Sequence, residues 1–410
     1  MRIALIDPSL FTAPYDAALA AGLRSVGHEV SLHARRARAE DAGPAGQPVT
    51  ASFYPVASLA AAQALPRALR LGIKGLDHIV SMNRLGRRLR QERPDVIHFQ
   101  WLPLPMVDRH FLPTLRTLAP LVLTVHDSNP FNGNPAAGLQ RRGAFAGFRH
   151  FDRLIVHTAQ GRQRLCAHGV AGERIAVVPH GLLARPHAGP AAGEAMDGEI
   201  TFLLFGKIKP YKGADLLIAA LARLAPQLRN RARVHIIGQP YMDLAPLHQL
   251  AQRLGVAERV TIAARFVPEA EIPTLFGPGT IAAFPYREIE ASGVLSLAVA
   301  HARPVLASRL GGFGETIRHG EDGLLVPPDD VAALTDAMAR FLAAPAFAAA
   351  CARAIATRAN DVPDWTDIAR LTTSVYDAAA RSRATGPLAA ATARAGRAEA
   401  PPPPPAGGHP

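Results

Sequence analysis

The sequence predicts two doubly wound α/β domains, each a parallel sheet with helices on both faces, facing each other across a cleft. Three observations predict it. At 410 residues the chain is too long for one ordinary core, and it suits two domains of roughly 150–200 residues each. Short apolar runs alternate with helical or loop-rich segments, which calls for parallel strands joined by crossover helices. The alternation breaks once, at 184–199, in a stretch rich in alanine, glycine and proline that reads as a hinge.

The elements follow in order. Residues 2–6 form a first strand, Leu19, Leu23 and Val26 mark a helix face, and 29–33 form the next strand. Further strands are expected at 96–99, 121–125, 154–156 and 175–178. Beyond the hinge they are expected at 201–205, 233–237, 260–262, 280–284, 304–307 and 324–326. The expected boundaries are 1–183 and 200–360 for the two domains and 361–383 for a C-terminal helix packing back on the first domain. An alanine- and proline-rich tail at 384–410 cannot bury a core and is expected to be disordered.

Composition narrows the function. Hydrophobic residues make up 49% and charged residues 19%, with a net charge of +12, so acidic partners are expected. Cys166 and Cys351 lack metal-type spacing and suit a reducing cytoplasm. The apolar start, Met1 to Asp7, is too short for a signal peptide, and no apolar run reaches the ~20 residues that span a bilayer. A cytoplasmic protein is expected, at most resting on a membrane surface. There is no Gly-x-Gly-x-x-Gly after the first strand and no Gly-x4-Gly-Lys-Ser/Thr loop, which argues against a dehydrogenase and an ATPase. The histidines lack His-x3-His pairing, so neither a metal nor another cofactor is expected. Aromatic content of 6% without a basic-aromatic motif argues against nucleic acid.

The most informative stretch is Phe205-Gly-Lys-Ile-Lys-Pro-Tyr-Lys-Gly213, between a strand and an amphipathic helix. Strand, glycine turn, lysines and helix present amides and ammonium groups to an anion. Gly206, Lys207 and Lys212 are therefore candidates for binding a diphosphate. Ligands in this fold class sit beyond the carboxyl ends of strands. That places Ser9 and Tyr15 after the first strand, His126 and Asp127 after the fourth expected run, 121–125, and His180 after 175–178. After 280–284 come Glu288, Glu290 and Ser292, where carboxylates can accept from sugar hydroxyls. There the amides of Gly293, Val294 and Leu295 open a helix that favours phosphate.

These residues carry a resemblance to the retaining glycosyltransferases of family four, which have the two-domain GT-B fold. It extends from about Met1 to Tyr376. Tyr15 to Val30, ending in Gly-His-Glu-Val, resembles the family's first helix and second strand. Arg93-Pro-Asp-Val-Ile-His98 and Leu123-Thr-Val-His-Asp127 resemble two of its N-terminal strands. In the second half Phe205 to Gly213, Ala302-Arg-Pro-Val-Leu306, Leu310-Gly-Gly-Phe-Gly-Glu315 and Asp322-Gly-Leu-Leu-Val-Pro-Pro328 follow in the family's order. The exopolysaccharide-type subgroup is the nearest pattern.

The resemblance implies transfer of a sugar from a nucleotide-diphosphate donor to a lipid-linked or oligosaccharide acceptor, in cell-surface polysaccharide or glycolipid synthesis. It implies catalytic roles for His126 and Glu290, and diphosphate binding by Gly206, Lys207, Lys212, Gly293, Val294 and Leu295. Glu288, Ser292 and Glu315 fall to the donor sugar or nucleotide, though a glutamate placed like Glu315 is more often a helix N-cap partner than a ligand. Ser9, Tyr15, Asp127 and His180 fall to the acceptor side. Three departures stand out: Lys207 replaces the usual arginine, Thr12-Ala13-Pro14 replaces a glycine pair, and the second glutamate of Glu-x7-Glu falls on Leu297 or Ala298.

Arginines and lysines also cluster at Arg67, Arg70, Lys74, Arg84, Arg87, Arg88, Arg90 and Arg93, and at Arg141, Arg142, Arg149 and Arg153. With Leu65, Leu69, Leu76, Ile79 and Leu85 interleaved they suit either an anionic membrane surface or a solvated face. Two other functions remain open: a nucleotide-sugar epimerase on the same fold, and a non-catalytic protein that keeps the donor pocket.

Overall fold

Each expected apolar run becomes a strand, the central ones buried on both faces, and among the described residues thirteen strands sort into two all-parallel sheets. The computed structural model describes residues 1–37, 48–127, 137–183, 198–289, 292–359 and 361–385. The first sheet holds β1 (Arg2–Asp7), β2 (Glu29–Arg35), β3 (Val49–Phe53), β4 (Val96–Phe99), β5 (Leu121–Thr124), β6 (Arg153–Val156) and β7 (Ile175–Val177), in the order β3-β2-β1-β4-β5-β6-β7. The second holds β8 (Ile200–Phe205), β9 (Ala232–Ile237), β10 (Val260–Ala263), β11 (Thr280–Phe284), β12 (Val305–Ser308) and β13 (Gly323–Val326), in the order β10-β9-β8-β11-β12-β13. Of these β3 falls outside the expected runs. It is an edge strand in which only Phe53 is buried, so Val49-Thr-Ala-Ser-Phe53 lacks the continuous apolar signature of a central strand.

The two-residue period of a strand sends alternate side chains into opposite layers. Ile3 and Leu5 of β1 join the core under the Ala13–Ser25 helix, while Ala4 and Ile6 join the core on the other face. β8 repeats the pattern, with Phe202 and Leu204 on one side and Leu203 and Phe205 on the other.

The chain's last described helix, Trp365–Thr385, crosses back and packs on the Ala13–Ser25 helix. Gly22 permits the contact, since a Cβ there would come within 2.2 Å of the Trp365 carbonyl oxygen. Trp365 Nε1 donates to the Leu182 carbonyl at 2.7 Å, and Tyr376 pairs with His98 at 2.7 Å. The end of the chain thus completes the first core.

Between the sheets runs a cleft of ≈ 1790 Å³, lined by both halves, from Ser9 and Phe11 to Lys207, Gln239 and Leu297. Among the described residues no single helix is long and apolar enough to cross a membrane. The bent pair Val331–Ala343 and Pro345–Ala359 is apolar, but it buries Leu334, Met338, Phe341 and Cys351 in the core. Most of the expected hinge, residue Glu290 and the tail beyond 385 lie outside the described residues, as do the side chains of Arg67, Arg141 and Arg142.

Candidate active site

The lysine loop leaves β8 at Gly206, whose φ of +96° belongs to the left-handed region that glycine tolerates. A Cβ at this position would sit 3.2 Å from both Lys212 Nζ and Val294 Cγ2, so bare backbone, ammonium and the start of the Gly293–Ala300 helix converge here. The loop closes in one 3₁₀ turn, Pro210–Lys212, and then Gly213 at φ +67° feeds the Ala214–Arg223 helix. Lys212 is 6% exposed, and its ammonium donates to the Phe205 carbonyl at 3.2 Å and lies 5.2 Å from the Tyr286 ring centre. Burial, then the nearby Lys209 and Lys207, pulls its pKa down to about 7. Lys207 and Lys209 stand at the cleft wall with their ammonium groups over the Tyr241 ring, at 5.9 and 5.8 Å. Among the described residues the cleft lining carries Arg35, Arg70, Lys74, Lys207 and Lys209 against Glu269 and Asp364, a field that favours an anion.

Opposite Gly206, Ser292 caps the Gly293–Ala300 helix, its hydroxyl accepting from the Leu295 amide at 3.4 Å. The Leu295 amide also bonds the Ser292 carbonyl at 3.0 Å. Of the three amides expected to meet a phosphate, that of Leu295 is thus already engaged. Glu288 is half-buried; Glu290, the carboxylate given the catalytic role, lies outside the described residues. Ala298 is fully buried, whereas Leu297 lines the cleft. Of the two positions proposed for the missing second glutamate, only Leu297 faces the ligand space.

In the first half the strand ends bring His126, Tyr15 and His180 together, behind the lining that Ser9, Phe11, Ala13 and Pro14 give the cleft. Tyr15 is buried, with its ring centre 4.8 Å from His126, 5.2 Å from His180, 5.3 Å from His157 and 5.2 Å from Trp365. His157 Nδ1 donates to the Val178 carbonyl at 3.0 Å, so its Nε2 is an acceptor for His126 Nδ1–H at 3.1 Å. Gln100 Oε1 is placed 3.0 Å from His126 Nε2. A neutral ring offers only a lone pair there, so the pair is complete when the amide is turned to donate. Burial, and then His157, His180 and His98, holds the His126 pKa well below the histidine range. Both ring nitrogens are therefore engaged within the protein, and the ring's neutral face stacks on Trp101 at 5.3 Å. With neither a lone pair nor an N–H left over, the ring is not placed to act as a proton-abstracting base.

Ser9 lines the cleft, 7% exposed, with no hydrogen-bond partner for its hydroxyl. Its loop is pinned by the buried Asp7, which accepts from the amides of Ser9 at 3.2 Å and Thr12 at 3.1 Å. Asp127 is half-buried, and burial first, then its charge, raises the Tyr211 phenol to about 12. Glu315 takes the capping role: its carboxylate accepts from the amides of Ala159 and Gln160 at the start of the Ala159–Ala167 helix in the other half.

Three residues with structural claims on the site were not among the candidates: Gln100 and His157, which hold His126, and Arg287, which holds the lysine loop. Gln100 and His157 stand just after β4 and β6, so the strand-end rule could have found them. Among the described residues no group of three or more His, Cys, Asp or Glu is arranged to hold a metal ion.

Comparison with known proteins gives the same picture from sequence and shape. Residues 17–182 match the model of Glycosyltransferase Family 4, and residues 199–344 match that of Glycosyl transferases group 1. A D-inositol 3-phosphate glycosyltransferase of Streptomyces scabiei is 34% identical over 250 residues, covering 56% of this chain and 55% of the relative. A GDP-mannose-dependent alpha-(1-6)-phosphatidylinositol monomannoside mannosyltransferase of Mycolicibacterium smegmatis is 36% identical over 151 residues, covering 35% and 39%. The chain spans about half the length of the first of these relatives and less of the second. The structure of Anabaena HepE with UDP and glucose superposes with a TM-score of 0.71 at 18% identity, covering 92% of this chain and 99% of that one. WaaG, a glycosyltransferase involved in lipopolysaccharide biosynthesis, gives 0.66 at 16% identity, covering 91% and 99%. At such identities the likeness establishes the fold.

Proposed function

The chain belongs to the GT-B glycosyltransferases of family 4 and group 1, and from that premise we propose that it transfers a sugar from a nucleotide-diphosphate donor to a hydroxyl acceptor with retention. The observation that carries this reading is the buried Lys212 ammonium beside the bare backbone of Gly206, at the edge of a cleft rich in positive charge. A leaving diphosphate gathers negative charge as the sugar bond breaks, and Lys212, Lys207 and the amides of Gly293 and Val294 are suited to stabilise it. In a same-face reaction the leaving phosphate takes the acceptor proton, so no histidine base is needed, and His126, its ring nitrogens held by Gln100 and His157, acts by its shape beside the sugar. Glu290 and Glu288 remain the candidates for the sugar hydroxyls.

The acceptor belongs on the N-terminal wall, beside Ser9 and Tyr15. A lipid-linked or phosphate-bearing polyol or oligosaccharide agrees with Arg35, Arg70 and Lys74 in the lining and with the activities for which the two sequence relatives are named. A role on the cytoplasmic face of a membrane draws support from exposed Leu69, Leu71, Leu76, Ile79 and Val80 on the Arg67–Glu92 helix, interleaved with basic residues. Vesicles with and without anionic lipid test it by co-sedimentation, and indifference to lipid charge would remove it. Epimerase chemistry is less favoured, because only Glu269 and Asp364 supply carboxylates to the described cleft lining.

Purified protein mixed with a panel of UDP- and GDP-sugars and polyol-phosphate or lipid-linked acceptors should release one nucleotide diphosphate. NMR of the product's anomeric centre should report retention. Isomerised donor without nucleotide release would favour the epimerase, and binding without either reaction would favour the non-catalytic reading.

A further inference from the structure

We propose that Arg287 is a positioning residue for the diphosphate-binding loop, setting the place of Lys212 without touching the ligand; this rests on the donor reading above. Three consecutive residues after β11 each fix one part of the loop. A Cβ on Gly213 would come within 2.0 Å of the Pro285 carbonyl oxygen, so backbone meets backbone there. Tyr286, 1% exposed, puts its ring beneath the Lys212 ammonium at 5.2 Å. The Arg287 amide then donates to the Tyr211 carbonyl at 2.7 Å, and its Nη1 donates to the Pro210 carbonyl at 3.1 Å. The 3₁₀ turn that carries Lys212 is thereby bracketed by main chain and side chain of one residue.

The guanidinium is itself held on three sides. It makes a two-pronged pair with Asp215, at 2.9 and 2.7 Å, and its Nε donates to Asp329 at 2.6 Å. Asp215 sits in the first turn of the Ala214–Arg223 helix, and Asp329 just beyond β13. With its fork directed at carboxylates and a carbonyl, Arg287 is a brace and not a phosphate ligand. It has an electrostatic effect as well. Two carboxylates lie close to the loop that receives an anion, and the guanidinium pairs with both, offsetting one of their two negative charges. A lysine could supply the charge but not the three-way fork.

Titration of UDP and GDP into the full chain and its variants, with thermal transitions alongside, tests this. Lys212→Ala should weaken whichever nucleotide the parent binds by about tenfold or more, the value of one charge-assisted contact. Arg287→Ala should weaken it by a similar factor, and Arg287→Lys should fail to restore the parent's affinity. In the double variant Lys212→Ala/Arg287→Ala the second change should add little, because both act through one ammonium. Parent-like binding by Arg287→Ala, full recovery by Arg287→Lys, or additive losses would each overturn the assignment. If Arg287→Ala does not fold, Arg287→Lys read by the same titration decides. Parent-like binding by Lys212→Ala would instead remove the donor reading itself, a separate failure.

Discussion

The carboxylate of Glu315 accepts the main-chain N–H of Gln160 at 2.9 Å, and that of Ala159 at 3.0 Å, from the opposite half of the molecule. These are first-turn amides of the Ala159–Ala167 helix, where the macrodipole favours a negative charge. Thr158 caps the third, accepting from Gly161 at 2.9 Å. A glutamate placed by sequence near the donor thus serves as a clasp between the halves. Glu315→Ala should cost about 0.5–2 kcal/mol of stability, the range for a lost cap, and should enlarge the radius of gyration in small-angle scattering as the halves part. Unchanged scattering and an unchanged thermal transition would leave the clasp without a function.

Donor binding should take up a proton at mildly alkaline pH. Lys212 titrates at about 7 in the free protein, so at pH 8 its amine is mostly neutral, and a phosphate pulls it back to the charged form. Nucleotide affinity should therefore fall as pH rises above about 7. Calorimetry of UDP binding at pH 8 in buffers of different ionisation enthalpy should show the uptake, and Lys212→Met should abolish it. The same depressed pKa makes the unfolded chain bind more protons between about 7 and the ordinary lysine value, so this residue's contribution to stability rises with pH across that window.

The histidine network should make the fold sensitive to acid. Burial, then the charge of His157 for His98 and of His180 for His157, lowers both to about 3, against an ordinary value of 6.5. Between those values the unfolded chain binds more protons, so stability is lost as pH falls from 6.5 toward 3. At pH 5 each residue should have cost about 2 kcal/mol relative to neutral pH. Chemical denaturation at pH 7 and pH 5 measures the loss, and His157→Gln should lessen its pH dependence. Equal pH dependence in the variant would show that the buried rings are not its source.

The central strands were legible because burial on both faces leaves continuous apolar runs, as at Val96–Phe99 and Thr280–Phe284, where expected and observed bounds coincide. The edge strand Val49–Phe53 offers no such run. The lysine loop was legible because Gly206 and Gly213 occupy backbone that only glycine enters easily. The supports of His126 were not, since Gln100 and His157 lie 26 and 31 residues away and meet it only through the pairing of β4, β5 and β6. Arg287 stands between the strand 280–284 and Glu288, but Asp215 and Asp329 reach it across 72 and 42 residues of chain. No local pattern announces partners at such separations.

A Glu-x7-Glu motif begun at Glu290 places its second carboxylate at Ala298, yet Ala298 is fully buried in the core that also holds Phe284, Tyr286 and Val305. One residue earlier, Leu297 lines the cleft with Phe205, Gly206 and Lys207. Ala298→Glu should force a charge into that core and cost several kcal/mol, leaving little folded protein. Leu297→Glu should fold, because its side chain already borders the cleft, and should chiefly change nucleotide affinity, the signature of uniform binding. Glu290→Gln should do the reverse, lowering turnover by orders of magnitude while affinity and thermal transition survive, because a hydrogen bond to the flattening sugar counts in the transition state. A dead Glu288→Gln beside an active Glu290→Gln would move the register by two residues, and Leu297 would lose its place in the motif. A stable, tight-binding Ala298→Glu would show instead that the Gly293–Ala300 helix turns a different face to the donor.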